Sequence, residues 1–548
     1  MRILFALLCC LVSIAATAAE TLIVKNVHGY SLAANRVEPF SAMVIIDGKV
    51  DRLIQRTENV PAIAGADIIN GEGRTLLPGL IDAHGHVLSL GQQRLQVDLR
   101  DSESLQTALN RVKKFAAENK NNRWILGRGW NQVLWADKKF PTATQLDTVV
   151  TDRPTSLARV DGHAIWVNST ALKLASISRD TLDPSGGQIV RDASGNPTGV
   201  FIDAAKDLVE KKIPPQTDTE TKRALEVALR ELAALGLTGV HDAGVTSHTY
   251  ELYRSLAREG RLPIRVYAML SNNKEALEVI KVGPKPAEFD DRLQMRAVKA
   301  YADGALGSRG AAMLDDYSDQ PHHRGLMITS RDELRQLAAL TAKYGWQFNV
   351  HAIGDAGNRA VLDAVENGMT AEQRQSLRPR IEHAQVISLA DIPRFAKLNV
   401  IASIQPTHAT SDMNMAEDRI GAERIKGAYA WRKLTDAGAR LAGGSDFPVE
   451  LANPFYGLYA AVTRKSRDGK PPNGWYGQEK LSREEALRLF TVDAAYAGHM
   501  EKSLGSLQPG QWADFTLIDR DYFTIPEDQI DDSIVVATYV AGKRVFPR

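Results

Sequence analysis

Two histidines, His84 and His86, are separated by one glycine and follow an apolar segment that begins at Leu80. Residues two apart on a β-strand point to the same face, so both imidazoles can bind one cation there. Many such pairs arise by chance, and this pair gains weight from Pro78-Gly79, which introduces the predicted strand. The two histidines therefore form a candidate metal site that needs further ligands.

Further metal-binding side chains stand at the ends of other predicted strands. In chain order they are Lys299, His351, His383 and Asp446. Each has an ordinary interpretation when taken alone, since a lysine can be solvated, a histidine can be partly buried and an aspartate can cap a helix. Taken together with the first pair, they place metal ligands in order at the ends of five strands, which chance explains poorly.

The N-terminal segment restricts the choice of ligands. Both cysteines, Cys9 and Cys10, fall within an apolar run from Ile3 to Ala16 that small residues follow. Such a run is typical of a secretory signal peptide, so we expect cleavage near Glu20, no membrane span afterwards, and a periplasmic or secreted protein. The alternative is an uncleaved anchor, because the run is slightly shorter than the roughly 20 residues that span a bilayer. A mature chain without cysteine must bind metal through His, carboxylate or a modified Lys.

The composition is that of a globular protein with balanced charge. The chain has 548 residues, is 44% hydrophobic and carries 67 basic and 66 acidic side chains. We see no run of Lys and Arg that could follow a phosphate backbone, so we expect no nucleic-acid partner. The expected partner is a small molecule, and association into a homodimer stays open.

Eight short apolar segments must position the candidate ligands. They cover residues 80–86, 237–242, 264–268, 297–304, 347–351, 380–383, 400–406 and 440–446. Helical patterns alternate with them, which predicts parallel βα units and an α/β protein. Eight such strands close a (β/α)₈ (TIM) barrel, whose active site lies at the C-terminal strand ends. The candidate ligands fall at those ends.

The segments outside the barrel predict two additions to it. The first two strands are separated by roughly 140 residues, far more than an ordinary connection, so we expect a long insertion at about 90–230 that walls the substrate site. Strand patterns near both termini predict one small composite β-sandwich. The predicted divisions are a signal peptide at 1–19, the sandwich at 20–78 and 496–548, and the barrel at 79–495.

The ordered motifs resemble those of the amidohydrolase superfamily, specifically its family 3 branch, over essentially the whole mature chain. The motifs are LPGLIDAHGH (77–86), KAYADGALGSR (299–309), HAIGD (351–355), IEHAQ (381–385), GSDFPV (444–449) and GSLQPGQWADF (505–515). The resemblance implies a barrel with a composite β-sandwich and a centre of one or two divalent ions, of which zinc is preferred. It implies that His84, His86 and Asp446 hold one ion, and that His351 and His383 hold the other.

The resemblance also implies roles in catalysis. Lys299 matches a position whose amine can take up carbon dioxide to become a carbamate (N6-carboxylysine) that bridges both ions. Asp446 would accept a proton from metal-activated water and deliver it to the leaving amine. His163, in the insertion, resembles a position near the substrate and would contact the developing oxyanion. The alternative is that His163 braces the insertion with Asp161 and Asn168.

The sequence evidence for substrate contacts is weaker than that for the metal ligands. Trp130, with Trp135 and Trp166, suggests an apolar or aromatic substrate group, although tryptophans in a long insertion often form its core. Arg309 could pair with a substrate carboxylate or with an acidic side chain of the protein.

The function expected from these residues is metal-dependent hydrolysis of an amide-type carbon–nitrogen bond other than a peptide bond. Lactone or phosphoester hydrolysis is the first alternative, since the same ligands serve it. Deamination is disfavoured, because deaminases that resemble this fold show His-x-x-Glu at the fifth strand, whereas HAIGD begins at His351. A different class is an exported binding protein that keeps the fold without turnover.

Overall fold

A computed structural model describes residues 20–33 and 36–547. The predicted signal peptide, with Cys9 and Cys10, lies outside the described residues. Within the described ranges no helix has both the length and the apolar character needed to cross a membrane.

A barrel of parallel strands lies at the centre of the molecule, which confirms the predicted (β/α)₈ architecture. In the order in which neighbours pair, its strands are β6 (Leu80–Gly85), β13 (Leu237–Val245), β14 (Arg265–Ser271), β16 (Leu293–Tyr301), β17 (Gln347–Ala352), β18 (Arg380–His383), β19 (Ile401–Ile404) and β20 (Leu441–Gly443). A parallel bridge between Gly85 and Phe447 joins the first strand to the segment that follows the last, so the ring is nearly closed. A short strand, β15 (Lys285–Glu288), pairs with the edge of β16 in antiparallel orientation.

The connections between strands contain the helices. They are α1 (Val87–Arg94), α2 (Leu105–Glu118), α3 (Ala143–Asp147), α4 (Ser169–Leu174), α5 (Asp207–Glu210), α6 (Asp218–Ala234), α7 (Ser247–Arg258), α8 (Ala276–Val282), α9 (Arg331–Lys343), α10 (Asp355–Gly368), α11 (Ala371–Leu377), α12 (Ile392–Lys397), α13 (Pro406–Asp412), α14 (Ala416–Arg424), α15 (Trp431–Asp436), α16 (Pro454–Thr463), α17 (Arg483–Leu489) and α18 (Val492–Ala497). Helix α6 begins at a capping box, in which Thr217 and Glu220 bond each other's backbone N–H, and it buries Leu225 and Leu229. Helices of this kind are positioned by one buried apolar face.

The insertion after the first barrel strand forms its own sheet. Its strands are β7 (Val97–Asp98), β8 (Ile125–Trp130), β9 (Thr155–Arg159), β10 (Ala164–Val167), β11 (Gly187–Arg191) and β12 (Pro197–Asp203), paired in the order β11-β12-β10-β9-β8-β7. Apolar side chains from both of its faces fill two cores, one of which contains Trp130, Trp135 and Trp166. The insertion is therefore a folded layer with its own packing.

A third sheet combines strands from both ends of the described chain. Its strands are β1 (Thr21–Ala33), β2 (Arg36–Ile46), β3 (Lys49–Ile54), β4 (Asp67–Asn70), β5 (Thr75–Pro78), β21 (Phe515–Ile518), β22 (Val535–Val540) and β23 (Lys543–Phe546). Strands β5 and β21 pair in antiparallel orientation, which joins the two parts. Gly79 then separates β5 from β6, so this sheet holds the start of the first barrel strand.

Candidate metal centre

Five barrel strands bring the six predicted ligands to one place. They are His84 on β6, His86 just beyond it, Lys299 on β16, His351 on β17, His383 on β18 and Asp446 beyond β20. The ligand atoms of His84, His383 and Asp446 lie within 4.8 Å of one another. The other three adjoin this group: His86 Nε2 lies 3.0 Å from Asp446 Oδ1, Lys299 Nζ lies 3.3 Å from His84 Nε2, and the His351 and His383 rings are 4.5 Å apart.

The backbone at the barrel mouth is shaped to let these side chains converge. His383 and Asp446 have φ angles of 76° and 61°, in the left-handed region that non-glycine residues seldom adopt. The Asp446 N–H donates to the His84 carbonyl at 2.7 Å, which places the last ligand directly beside the first. A Cβ atom at Gly444 would lie 2.5 Å from the His84 backbone nitrogen, so this approach requires glycine.

Two ligand histidines are oriented through their Nδ1 atoms. His84 Nδ1 lies 2.6 Å from Glu382 Oε2, and His383 Nδ1 lies 2.7 Å from Gln405 Oε1. A metal-binding imidazole usually donates its other N–H to a carboxylate or carbonyl in this way. Both contacts leave Nε2 available to an ion.

A buried ion pair fixes the carboxylate behind His84. Arg380 and Glu382 are both 0% exposed, and Arg380 Nε lies 2.9 Å from Glu382 Oε1. Burial by itself raises the pKa of Glu382, but the Arg380 guanidinium and His84 outweigh it and hold this pKa well below its usual range. The same guanidinium donates to the Ala83 carbonyl at 2.8 Å and to Ser403 Oγ at 2.9 Å. Glu382 therefore stays ionised and correctly placed to orient His84.

Burial keeps the imidazoles of His84 and His351 neutral. It lowers the pKa of His84 to about 4 and that of His351 to about 3, and the nearby Lys299 ammonium contributes to both shifts. Burial also lowers the pKa of Lys299 to about 8. At neutral pH the two histidines therefore offer free lone pairs, which is the state that binds metal.

Asp446 is ionised within this ring of imidazoles. Burial raises its pKa, but contact with the His86 imidazole is the largest of the causes that outweigh this and hold the pKa well below its usual range. Its Oδ1 atom is buried and, among the described residues, accepts no hydrogen bond in good geometry. Neutral imidazoles, an ionised carboxylate and an unsatisfied carboxylate oxygen suit a divalent ion such as zinc. The residues of the cluster therefore fit a metal centre.

Two further buried aspartates hold the strand ends that carry the ligands. Asp82 accepts the His84 N–H at 3.0 Å and the Ser445 hydroxyl at 2.7 Å. Asp303 accepts the backbone N–H groups of Ile353 and Ala312, both at 2.9 Å. These bonds tie β6 to the Asp446 segment, and the end of β16 to that of β17.

His163 stands apart from the cluster. Its side chain is 74% exposed, its Nδ1 lies 2.8 Å from Asp203 Oδ1, and its backbone N–H donates to Asp161 at 3.1 Å. The described contacts of His163 include none of the six ligands. This arrangement supports the interpretation that His163 braces the insertion, with Asp203 as partner in place of Asn168, and its contact with substrate stays a prediction.

The two predicted substrate contacts have other partners in this structure. Trp130 is 0% exposed, packs against Trp135 and Trp166, and donates from Nε1 to the Leu157 carbonyl at 2.7 Å. This favours a role in the core of the insertion. Arg309 binds Asp319 through two hydrogen bonds of 3.0 and 2.8 Å, which favours its salt-bridge role. Substrate binding by either residue stays a prediction.

The sequence interpretation missed His408, which lies at the cluster. It lies in the first turn of α13, and its Nε2 is 3.7 Å from Asp446 Oδ2. The available signal was its place four residues after β19, since the polar segment behind a barrel strand lies at the catalytic mouth. Glu382 was also missed as a functional residue, although it directly precedes His383.

A cavity of about 380 Å³ lies between the insertion and the segment after Asp446. Its lining includes Arg128 and Val160 from the insertion and Pro448 and Val449 from the barrel. The Val449 N–H donates to the Asp446 carbonyl at 2.9 Å, and such a turn keeps its ends within about 7 Å. The turn that begins at Asp446 therefore forms one wall of the cavity and the insertion forms another, and none of the six predicted ligands lines it.

Comparisons with known proteins agree with this geometry. A profile of the amidohydrolase family matches residues 67–546. The chain is 34% identical over 489 residues to YtcJ of Bacillus subtilis. This alignment covers 88% of this chain and 90% of that protein. It is 28% identical over 530 residues to the N-substituted formamide deformylase of Arthrobacter pascens. That alignment covers 92% of this chain and 95% of the deformylase. An uncharacterised metal-dependent hydrolase of Pyrococcus furiosus superposes with a TM-score of 0.77 at 30% identity, over 92% of this chain and 100% of that one.

Proposed function

The chain belongs to the amidohydrolase family, and from this premise we propose that it hydrolyses an amide-type carbon–nitrogen bond in a small molecule. The observation that carries the proposal is the group formed by His84, His383 and Asp446, whose ligand atoms lie within 4.8 Å of one another. This group sits at the C-terminal strand ends, where barrel enzymes place their catalytic residues.

The same proposal assigns the ligands. Zinc is the proposed metal, since a set of imidazoles and a carboxylate suits it, and one or two ions would bind. His84, His86 and Asp446 would hold one ion, and His351 and His383 would hold a second. Lys299, as a carbamate, would bridge the two sites. A carbamate would supply anionic oxygens where an ammonium would be repelled by the ions, and Lys299 is buried beside His84 as such a bridge requires.

A bound divalent ion lowers the pKa of water and polarises a carbonyl group. Asp446 supplies the proton transfer. Its ionised carboxylate accepts a proton from the attacking water and returns it to the nitrogen of the leaving amine. His86 Nε2 and His84 Nε2 lie 3.0 and 3.6 Å from Asp446 Oδ1, so the carboxylate stands next to the ion that these histidines would hold. The products are a carboxylic acid and an amine.

The relatives and the cavity support a substrate class. A chain 28% identical over 530 residues is a deformylase of N-substituted formamides, which supports a small N-substituted amide as substrate. Val160 and Val449, which line the cavity, are 41% and 69% exposed and would contact an apolar substituent. Arg128, which lines the same cavity, would pair with an acidic substituent.

A substrate screen on the zinc-loaded protein tests the function. We expect amine release from one of N-benzylformamide, N-acetylbenzylamine or an N-acyl amino acid, and loss of that activity after chelation. Protein reloaded with zinc is the matched control. Hydrolysis of lactones or phosphoesters without amine release would replace the amide assignment, and activity indifferent to chelation would refute metal dependence.

We also propose that the protein is exported, because Ile3 to Ala16 and the small residues after them have the pattern of a signal peptide. The mature protein would begin near Glu20 and occupy the periplasm or the medium. Terminal sequencing of the native protein tests this, and recovery of Met1 would refute cleavage.

A further inference from the structure

His408 is placed by the same turn of chain that orients a ligand histidine. Strand β19 ends at Ile404, and the His408 N–H donates to the Gln405 carbonyl at 3.0 Å in the first turn of α13. The Gln405 side chain lies 2.7 Å from His383 Nδ1. His408 therefore has a defined position relative to the cluster.

Its ring is also oriented. The His408 and His383 rings are stacked, with centroids 5.8 Å apart and planes inclined by 16°. The Nε2 edge of His408 faces Asp446, whose Oδ2 lies 3.7 Å away. That distance is too long for a hydrogen bond between the two groups.

The Nε2 atom of His408 is buried and, among the described residues, has no hydrogen-bond partner. A buried nitrogen without a partner is costly, and such atoms in native structures usually have a function. The nitrogen is therefore available to a molecule bound beside Asp446.

We propose that His408 is a catalytic residue that donates a hydrogen bond from Nε2 to the oxygen of the scissile carbonyl. The inference rests on the proposed amide hydrolysis. A donor in this position would bind the carbonyl oxygen more strongly as the oxygen becomes negative in the transition state than in the ground state.

In the proposed reaction His408 transfers no proton. The oxygen of water forms a bond to the carbonyl carbon, and the π electrons move to the carbonyl oxygen, where His408 stabilises them. Asp446 takes the proton of the water. The carbonyl then re-forms, the carbon–nitrogen bond breaks, and Asp446 returns the proton to the amine nitrogen. His408 keeps its own proton throughout.

Three variants test the role of His408 in zinc-loaded protein: His408→Ala, His408→Gln and the control Ser411→Ala. Ser411 is exposed on the same helix, so the control reports disturbance of α13. The measurements are zinc per chain, kcat and KM for the best amide of the screen, and the Kd of methylphosphonate, a tetrahedral anion, by calorimetry.

We expect His408→Ala to keep its zinc, to lose about 100- to 1000-fold in kcat and to change KM little, as loss of an oxyanion donor does. Its Kd for methylphosphonate should rise by about tenfold or more, since one charge-assisted hydrogen bond is lost. His408→Gln, whose amide can still donate, should recover part of both losses. Ser411→Ala should resemble the wild type.

Two outcomes would overturn the inference. Loss of zinc from His408→Ala would make His408 a metal ligand, and an unchanged kcat and Kd would deny it any part in binding the oxygen. If the wild-type protein hydrolyses no amide, the proposed function fails. The methylphosphonate affinities of the variants then still decide whether His408 binds an anionic oxygen at the site.

Discussion

The histidines at the barrel mouth and His163 of the insertion lie in opposite surroundings. His84 is 0% exposed and is held through Nδ1 by Glu382 at 2.6 Å. The side chain of His163 is 74% exposed, and its contact is the exposed Asp203. Both residues belong to sequence segments that resemble those of one family. The difference shows that converging strand ends give a histidine a binding environment, whereas a resemblance in sequence alone does not.

The largest effect is expected from removing the first pair of barrel histidines. The double variant His84→Ala with His86→Ala loses two imidazoles next to Asp446, so we expect loss of at least one ion per chain and no detectable activity. Elemental analysis and the amide assay measure this. His248→Ala is the control, because His248 is an exposed histidine of α7 whose partner is Asp218 at the start of α6. Full metal content in the double variant would contradict the assignment.

Lys299→Ala comes next. If a carbamate bridges the ions, the variant should lose metal and at least about a hundredfold in activity, on the scale of lost electrostatic stabilisation. Millimolar propionate or bicarbonate should restore part of both. Lys397→Ala, at an exposed lysine, serves as control. Normal metal content and activity in Lys299→Ala would end the bridging role.

Asp446→Asn separates catalysis from metal binding. Asparagine keeps the volume and one coordinating oxygen but cannot accept and return a proton. Turnover should therefore fall by roughly a hundredfold or more, while most of the metal and the melting temperature are retained. Asp532→Asn, at an exposed aspartate, is the matched change. Turnover near the wild-type rate would transfer the proton relay to another residue.

A smaller effect is expected from Glu382→Gln, since it changes the support of His84 and not a ligand. Loss of the carboxylate that orients a metal-binding histidine lowers metal affinity or activity by about 10- to 100-fold. The melting temperature should also fall, because Arg380 loses its buried partner. Zinc affinity, measured by competition with a chelator below the melting transition, separates the two effects. Unchanged affinity would show that His84 needs no such support.

The smallest effect is expected in the insertion. His163→Ala removes an exposed contact with Asp203, so kcat/KM should change by less than about threefold. Asp203→Ala removes the other partner of the same contact, so its kcat/KM should change as little as that of His163→Ala. A hundredfold loss confined to His163→Ala would show that the insertion closes over the cluster during turnover, and would restore His163 as a substrate contact.

Much of the architecture could be predicted from the sequence, because alternation of apolar strands with helical patterns is a local signal. The eight barrel strands were found in this way. The candidate ligands were found because each falls where a strand ends, and parallel strands end at one mouth.

The contacts around the ligands could not be predicted in this way. Strict alternation would send Glu382 and His383 to opposite faces of β18, yet both approach His84. The reason is that His383 adopts a φ of 76°, which ends the alternation at that residue. His408 was missed because it lies on a helix after the strand. The alternation of side chains along a strand does not predict where a side chain on the following helix points. The partners of His163, Trp130 and Arg309 depend on long-range packing, which a single sequence does not reveal.

The composite sheet has a consequence for the biosynthesis of this enzyme. Strand β5, which leads into the strand bearing His84, pairs with β21, several hundred residues later in the sequence. Asp514, just before β21, receives two hydrogen bonds from Arg265 at the start of β14, at 2.6 and 2.9 Å. The ribosome must therefore synthesise β21 before the first barrel strand gains this support. Until then the chain exposes an unpaired edge of β5, and the first barrel strand lacks the support of β21.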